Sequence, residues 1–274
     1  MSSPPPQQIV HNGCLRPASD RLVASSDGIL MRGCGAFETI AAYRGRPFLA
    51  DAHFARLRRA SGILGLRCPS DPILLEAMKD ALEANGLDDL EKARLRITLS
   101  SPTDGSESWW VEATPPPSHR GTAKVITGPF VRNERSPLAG LKTVNFGDNV
   151  VAQRLAREVG ADEALFANTR DELCEGTWSN VFVRIEGCWI TPPLDSGCLP
   201  GVTRALVIEL FHEIGHTVAE STLSITQLNR VESAFLTSSL REIQPVSAIN
   251  GKGLDVASEL DLLRGVYRTR TASA

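Results

Sequence analysis

The sequence predicts a two-domain α/β (α+β) protein, and three observations carry that prediction. Segments with strand-like alternation share the first third of the chain with two helix-like stretches. A run of three prolines, Pro115-Pro116-Pro117, interrupts both patterns, and the same mixture resumes beyond it. With 274 residues, 42% of them hydrophobic, the chain can fill one large core or two of ordinary size.

The elements follow in order. Residues 37–43, 93–100 and 109–114 carry alternating or β-rich side chains and read as strands. A helix is expected to start at Asp51, carry His53, Arg56 and Leu57, and stop before Gly65. A second opens with Asp71 as cap and Pro72 in its first turn, and stops at Gly86. Proline suits the first turn, where its missing N–H costs no bond, and glycine suits the position past the last turn because it accepts a left-handed backbone. Consecutive prolines can neither donate ladder hydrogen bonds nor continue a helix. The expected division is therefore an N-terminal α/β domain over 1–117, a linker over 118–122 and a C-terminal α/β domain over 123–274. Beyond the linker, 148–160 reads as a helix, 163–167 and 180–185 as strands, and 203–215 as a helix capped by Thr203. No internal repeat is evident, and only the first few residues are low in complexity.

Composition narrows the partners. Net charge is −3 with both signs interspersed, so no basic stripe points to nucleic acid and no polybasic run to a membrane surface. No apolar run approaches the roughly 20 residues that span a bilayer. The six cysteines are scattered without a C-x-x-C pair, and the start MSSPPPQQIV lacks the regions of a secretory signal. Reduced thiols in a cytoplasmic protein with small-molecule partners are expected.

One motif invites a metal. His212-Glu213-Ile214-Gly215-His216 fits H-E-x-x-H, in which two histidines one helical turn apart hold zinc and the glutamate activates a water. The pattern requires a continuous helix through both histidines. Gly215 is the residue type that ends helices, so the imidazoles are expected to diverge and no metal is assigned. A zinc peptidase built on His212, Glu213 and His216 is kept as a remote alternative, as is a cofactor-less binding protein.

A second set of features spans almost the whole chain. Gly33-Cys34-Gly35-Ala36-Phe37-Glu38-Thr39 is followed by His53-Phe54-Ala55-Arg56-Leu57, Leu141-Lys142-Thr143-Val144-Asn145-Phe146 and Asp162-Glu163-Ala164-Leu165. Then come Cys174-Glu175-Gly176-Thr177-Trp178-Ser179-Asn180, Leu199-Pro200-Gly201-Val202-Thr203-Arg204 and Thr237-Ser238-Ser239-Leu240-Arg241-Glu242-Ile243. In order and rough spacing, over about residues 28–250, these segments resemble the class IV aminotransferases, the fold-type IV pyridoxal-phosphate enzymes. The resemblance implies a two-domain homodimer with pyridoxal 5'-phosphate in the cleft between domains.

The chemistry explains the residue types. The cofactor needs an amine for its Schiff base, an acid to keep its pyridine nitrogen protonated, and donors for a dianionic phosphate. By resemblance, Lys142 is the Schiff-base lysine and proton carrier, and Glu175 pairs with the pyridinium. Arg56, Val202, Thr203, Ser238 and Ser239 hold the phosphate, with Val202 and Thr203 at a helix start that suits an anion. Phe37 falls to the substrate pocket.

Departures from the family pattern rank its members. Phe146 stands where branched-chain L-amino-acid enzymes usually have a tyrosine, and the run from Ser179 looks closer to D-amino-acid transaminases and aminodeoxychorismate lyases. The arginine and histidine with which the best-known D-amino-acid enzymes trap the substrate carboxylate are replaced by Ser100-Ser101-Pro102-Thr103-Asp104-Gly105. Arg32, at a position usually aromatic, could bind that carboxylate instead. Arg241 looks like the lyases and would meet a substrate carboxylate there. The expected reaction is amino transfer between an amino acid, with the D-type favoured, and a 2-oxo acid. Aminodeoxychorismate lyase, making 4-aminobenzoate and pyruvate, is the alternative, and a branched-chain L-amino-acid aminotransferase is third.

Overall fold

The computed structural model describes residues 7–119 and 121–273, so most of the low-complexity start and Arg120 of the expected linker lie outside the described residues. The chain forms two compact units. One comprises the chain up to Ser118 together with Leu141–Asn145 and the last residues from Thr271; the other comprises His119–Gly140 and Phe146–Arg270.

The first unit runs β1 (Gln8–His11), β2 (Cys14–Pro17), α1 (Gly28–Arg32), β3 (Ala36–Tyr43), β4 (Arg46–Pro47), α2 (Ala50–Leu64), α3 (Asp71–Ala84), β5 (Ala93–Leu99) and β6 (Trp109–Thr114). Its sheet has the order β2-β1-β6-β5-β3-β4 and is antiparallel throughout. Alternation divides each strand between two faces. Ile40 and Ala42 of β3, Leu95, Ile97 and Leu99 of β5, and Val111 and Ala113 of β6 pack with Phe54 and Leu57 of α2 and Leu74 and Met78 of α3. The other face carries Phe37 and Thr39 of β3 beside Thr98 and Arg96 of β5, their direct partners in register.

Both helices end near the glycines the sequence marks, Gly65 and Gly86, each with positive φ. Their starts differ from the reading. Leu49, itself left-handed, precedes α2, so Asp51 sits inside the first turn; Ser70, not Asp71, is the cap of α3.

The second unit runs β7 (Ala123–Arg132), α4 (Gly147–Glu158), β8 (Glu163–Asn168), β9 (Leu173–Gly176), β10 (Asn180–Ile185), β11 (Cys188–Thr191), α5 (Val202–Glu213), β12 (Val218–Glu220), β13 (Ser233–Ser238), β14 (Glu242–Ile249), β15 (Lys252–Gly253) and α6 (Glu259–Ala272). Its mixed sheet has the order β12-β11-β10-β13-β14-β7-β8-β9, with β15 on β14. The β14–β7, β7–β8 and β11–β12 pairs are parallel. Val125, Leu165, Val181, Val183, Leu236 and Val246 fill one core of this unit, and Ala152, Ala156, Ala164 and Phe166 a smaller one beneath α4.

Lys142 was expected in the C-terminal domain, yet its segment joins the first unit. Phe37 N–H donates to Lys142 O at 3.0 Å and Val144 N–H to Gly35 O at 3.0 Å, so 142–144 lies antiparallel to the start of β3. Backbone pairing, which a linear domain boundary ignores, decides the placement.

Candidate active site

In the first unit the lysine segment is pinned from both ends. Leu141 packs on the core. Asn145 Nδ2 donates to Gly33 O at 2.9 Å, and a side chain on Gly33 would meet Asn145 Oδ1 at 2.2 Å. The Lys142 amine then sits 4.4 Å from the centroid of the Phe37 ring. Phe37 itself is buried.

Arg56, on α2, is held by a buried acid. Its Nε and Nη2 donate to the two oxygens of Glu38 at 2.7 and 2.8 Å, and His53 Nδ1 lies 2.8 Å from Glu38 Oε2. The sequence reading assigns a bidentate fork of Arg56 to phosphate; the structure gives the Nε–Nη2 edge of that fork to Glu38. Arg56 and His53 offset the burial of Glu38 and hold its carboxyl well below the usual carboxylate range. Burial pushes the His53 imidazole below its ordinary value; Glu38 opposes that, and the charges of Arg56 and Lys142 add to it. The lysine amine and the Arg56 guanidinium thus share one electrostatic neighbourhood.

Arg32 closes α1, whose cap Asp27 accepts from Ile29 N–H and Ser100 Oγ–H, docking the helix on the end of β5. The Arg32 side chain is exposed.

The sequence reading passed over Arg96. Its guanidinium carbon lies 3.9 Å from the centroid of the same Phe37 ring that faces Lys142, and Nε donates to Thr98 Oγ1 at 3.3 Å. Among the described residues no carboxylate comes within ion-pair distance of it; burial pushes its pKa down to about 10, opposed by the charge of Glu112, its ladder partner on β6, and aided by Arg94. The signal was present: alternation along β5 sets Arg94, Arg96 and Thr98 opposite Leu95, Ile97 and Leu99.

In the second unit, Glu175 lies on β9. Its Oε2 accepts from Leu199 N–H at 2.8 Å, and its Oε1 forms a close ion pair with Arg132 Nε at 3.2 Å. Helix α5 begins at Val202 with Gly201 as cap and no side-chain capping bond. Thr203, read as the cap, is one position inside the helix. The reason is a contact remote in sequence: a Cβ on Gly201 would press against Asn180 Oδ1, so the site favours glycine as the cap. The first amides of α5 therefore lack a side-chain acceptor, as an anion site at a helix start requires. Ser238 and Ser239 lie at the turn from β13 to β14, where Ser238 Oγ accepts from Arg241 N–H at 3.2 Å. Beside them, Thr237 Oγ1 is buried without a hydrogen-bond partner among the described residues.

Arg241 departs from its expected role. Its Nη2 lies 2.7 Å from Glu163 Oε2, and its Nη1 donates to Gln244 Oε1 at 2.6 Å. A guanidinium so committed is not presented to a substrate carboxylate. Phe146, which lacks the tyrosine hydroxyl, stacks on Trp178 with centroids 5.4 Å apart.

The metal motif does not assemble. Helix α5 stops at Glu213, Gly215 is left-handed at φ 79°, and His216 leaves toward β12, its ring edge-on to Phe211. Among the described residues, no three His, Cys, Asp or Glu side chains gather as metal ligands would. No helix of the described residues is long and apolar enough to cross a membrane, and all six cysteines are free.

The family model "Amino-transferase class IV" matches residues 35–249. The chain is 31% identical to the aminodeoxychorismate lyase of Bacillus subtilis, over 87% of this chain and 85% of that one. It is 27% identical to the D-alanine aminotransferase of Bacillus licheniformis, over 94% of each. Among solved structures, the branched-chain aminotransferase of Thermoproteus uzoniensis with norvaline superposes with a TM-score of 0.88 at 25% identity, covering 97% of this chain and 95% of that one. With the match spanning most of the sequence, this chain belongs to the class IV aminotransferases, enzymes that work with pyridoxal 5'-phosphate.

Proposed function

We propose that the protein moves an amino group between a carboxylate-bearing amino acid, of the D-type by preference, and a 2-oxo acid. The observation that carries this reading is the pairing on Phe37: an amine, Lys142, and a guanidinium outside any direct ion pair, Arg96, approach one ring. The residues fit pyridoxal phosphate. In the first unit Lys142 supplies the amine and Arg56 a fixed positive charge. In the second, Glu175 supplies the acid for the ring nitrogen, and the uncapped start of α5 with Ser238 and Ser239 the donors for the phosphate.

When bound, the cofactor supplies an electron sink for the carbon that carries the amino group. Lys142 Nζ would hold the cofactor through its amine and would be the base that moves the proton at that carbon. Arg96 receives the substrate carboxylate, replacing the role first given to Arg241. It suits that role because its charge is half-buried and in no direct ion pair, Glu112 across the ladder offsetting only part of its desolvation, so an incoming anion gains a charge-assisted hydrogen bond there. Phe37 excludes water beneath both cations.

The D-type preference is supported by Phe146 in place of a tyrosine and by the near full-length likeness to a D-alanine aminotransferase. Likeness to the lyase of Bacillus subtilis supports a second reading, loss of pyruvate from aminodeoxychorismate. A homodimer is the expected assembly, to be checked by light scattering.

The test is a substrate panel on the yellow holoenzyme. D-Alanine should convert it to the amine form of the cofactor faster than L-leucine or an (R)-amine, and Lys142→Ala should abolish both the visible band and turnover, by about 10³-fold or more. Pyruvate released from aminodeoxychorismate without a 2-oxo acceptor would replace the transaminase reading with the lyase one.

A further inference from the structure

The β13–β14 turn and the loop after Glu175 meet at one buried ion pair. Glu163, the first residue of β8, is fully buried. Its Oε1 accepts from Trp178 N–H at 2.7 Å and Ser179 Oγ–H at 2.8 Å, both in the loop that follows Glu175. Its Oε2 faces Arg241 Nη2 at 2.7 Å, an ion-pair contact rather than an aligned hydrogen bond. The space is closed around it: a Cβ on Gly176 would lie 2.3 Å from Glu163 Oε1 and 2.5 Å from Ser179 Oγ. On the other side, Arg241 is tied to its own turn through Gln244 and Ser238. Its side chain is 8% exposed and that of Glu163 0%, so neither can swing out to a ligand in solvent.

A buried ion pair is weak as a source of stability, because desolvating two charges offsets most of their attraction; its best-attested use is to specify one arrangement. Here the arrangement specified is the register of two loops, one bearing Glu175 and the other Ser238 and Ser239. We propose that Glu163 and Arg241 are positioning residues for the cofactor, clamping the loop of the ring-nitrogen acid to the turn of the phosphate donors. The proposal rests on reading Glu175, Ser238 and Ser239 as cofactor residues.

The test compares holoenzymes carrying Glu163→Gln with Arg241→Met, Arg241→Lys, and Glu175→Gln. Changing both members of the pair at once avoids an orphaned buried charge, and circular dichroism with excess pyridoxal phosphate checks folding. The double variant should release cofactor at least tenfold faster and shift the pH titration of the visible band. Its ratio of KM values for carboxylate-bearing and neutral amines should not change. Arg241→Lys should restore part of the retention. Release within twofold of wild type, or selective loss of carboxylate substrates, overturns the clamp. Should Glu175→Gln leave band and retention untouched, the reading of the site fails and takes the clamp with it. If Glu175→Gln weakens retention while the double variant does not, the clamp alone is wrong.

Discussion

Arg96 in the first unit and Arg241 in the second both lie on sheet strands or their turns and are largely shielded, yet one is met by a benzene ring and the other by a buried carboxylate. Arg56 stands between them: the Nε–Nη2 edge of its fork is on Glu38, which fixes it in place as a positive charge. A guanidinium already answered by an acid is part of the scaffold, because separating the pair would strand a charge in low dielectric. One that meets a π-face and a hydroxyl, with its nearest acid, Glu112, outside ion-pair distance, keeps its charge available to an incoming anion. The residue type is the same in all three; compensation assigns the role.

The strongest way to break this contrast is to remove the acid from a compensated arginine. Glu38→Gln should destabilise the protein by about 3–5 kcal/mol in urea unfolding, the penalty for an uncompensated buried charge. Acid has the same target. The folded-state pKa of Glu38 lies below its unfolded value, so its stabilisation is present above about pH 4.3 and is lost as pH falls through the folded value. His53, its pKa lowered by burial, acts in the same direction from higher pH: below about pH 6.5 the unfolded chain binds a proton that the folded imidazole resists. Wild-type stability should therefore decline on acidification in two stages, and Glu38→Gln should flatten the lower one. A profile unchanged by the substitution would remove Glu38 from the acid transition.

Arg96→Met should do the opposite, sparing stability and costing function. KM for carboxylate-bearing amino acids should rise about 10- to 100-fold, the loss of a charge-assisted hydrogen bond, while neutral amines stay within twofold. An equal loss for both classes would return Arg96 to the scaffold. Arg32, exposed at the end of α1, should give a smaller version of the same pattern: Arg32→Ala should raise KM for carboxylates only about two- to fivefold, as exposed ion pairs do. Smallest of all, His212→Ala should change stability by less than about 0.5 kcal/mol and leave turnover intact. A loss of stoichiometric zinc in that variant would revive the metal motif.

The sequence reading reached some of these roles and missed others for identifiable reasons. Gly65, Gly86 and Gly215 were legible as helix ends because the left-handed backbone is a local demand. The cap was placed at Thr203, two positions late, because the preference for Gly201 comes from Asn180, 21 residues away in the chain by their numbering. Arg241 was assigned to substrate because its partner, Glu163, is remote in sequence, and the motif around Glu163 does not say which residue it faces. Arg96 was passed over since a lone arginine in a strand looks solvated until Phe37 is placed beside it across the ladder.

What the sequence by itself determined is the family, the residue types its chemistry needs, and most element ends, all of which follow from local periodicity, capping and motif order. Only the tertiary structure decided that Lys142 pairs with β3 in the first unit, and which arginines are neutralised. Those outcomes depend on long-range contacts and on desolvation, and neither is written in the spacing of residues along the chain.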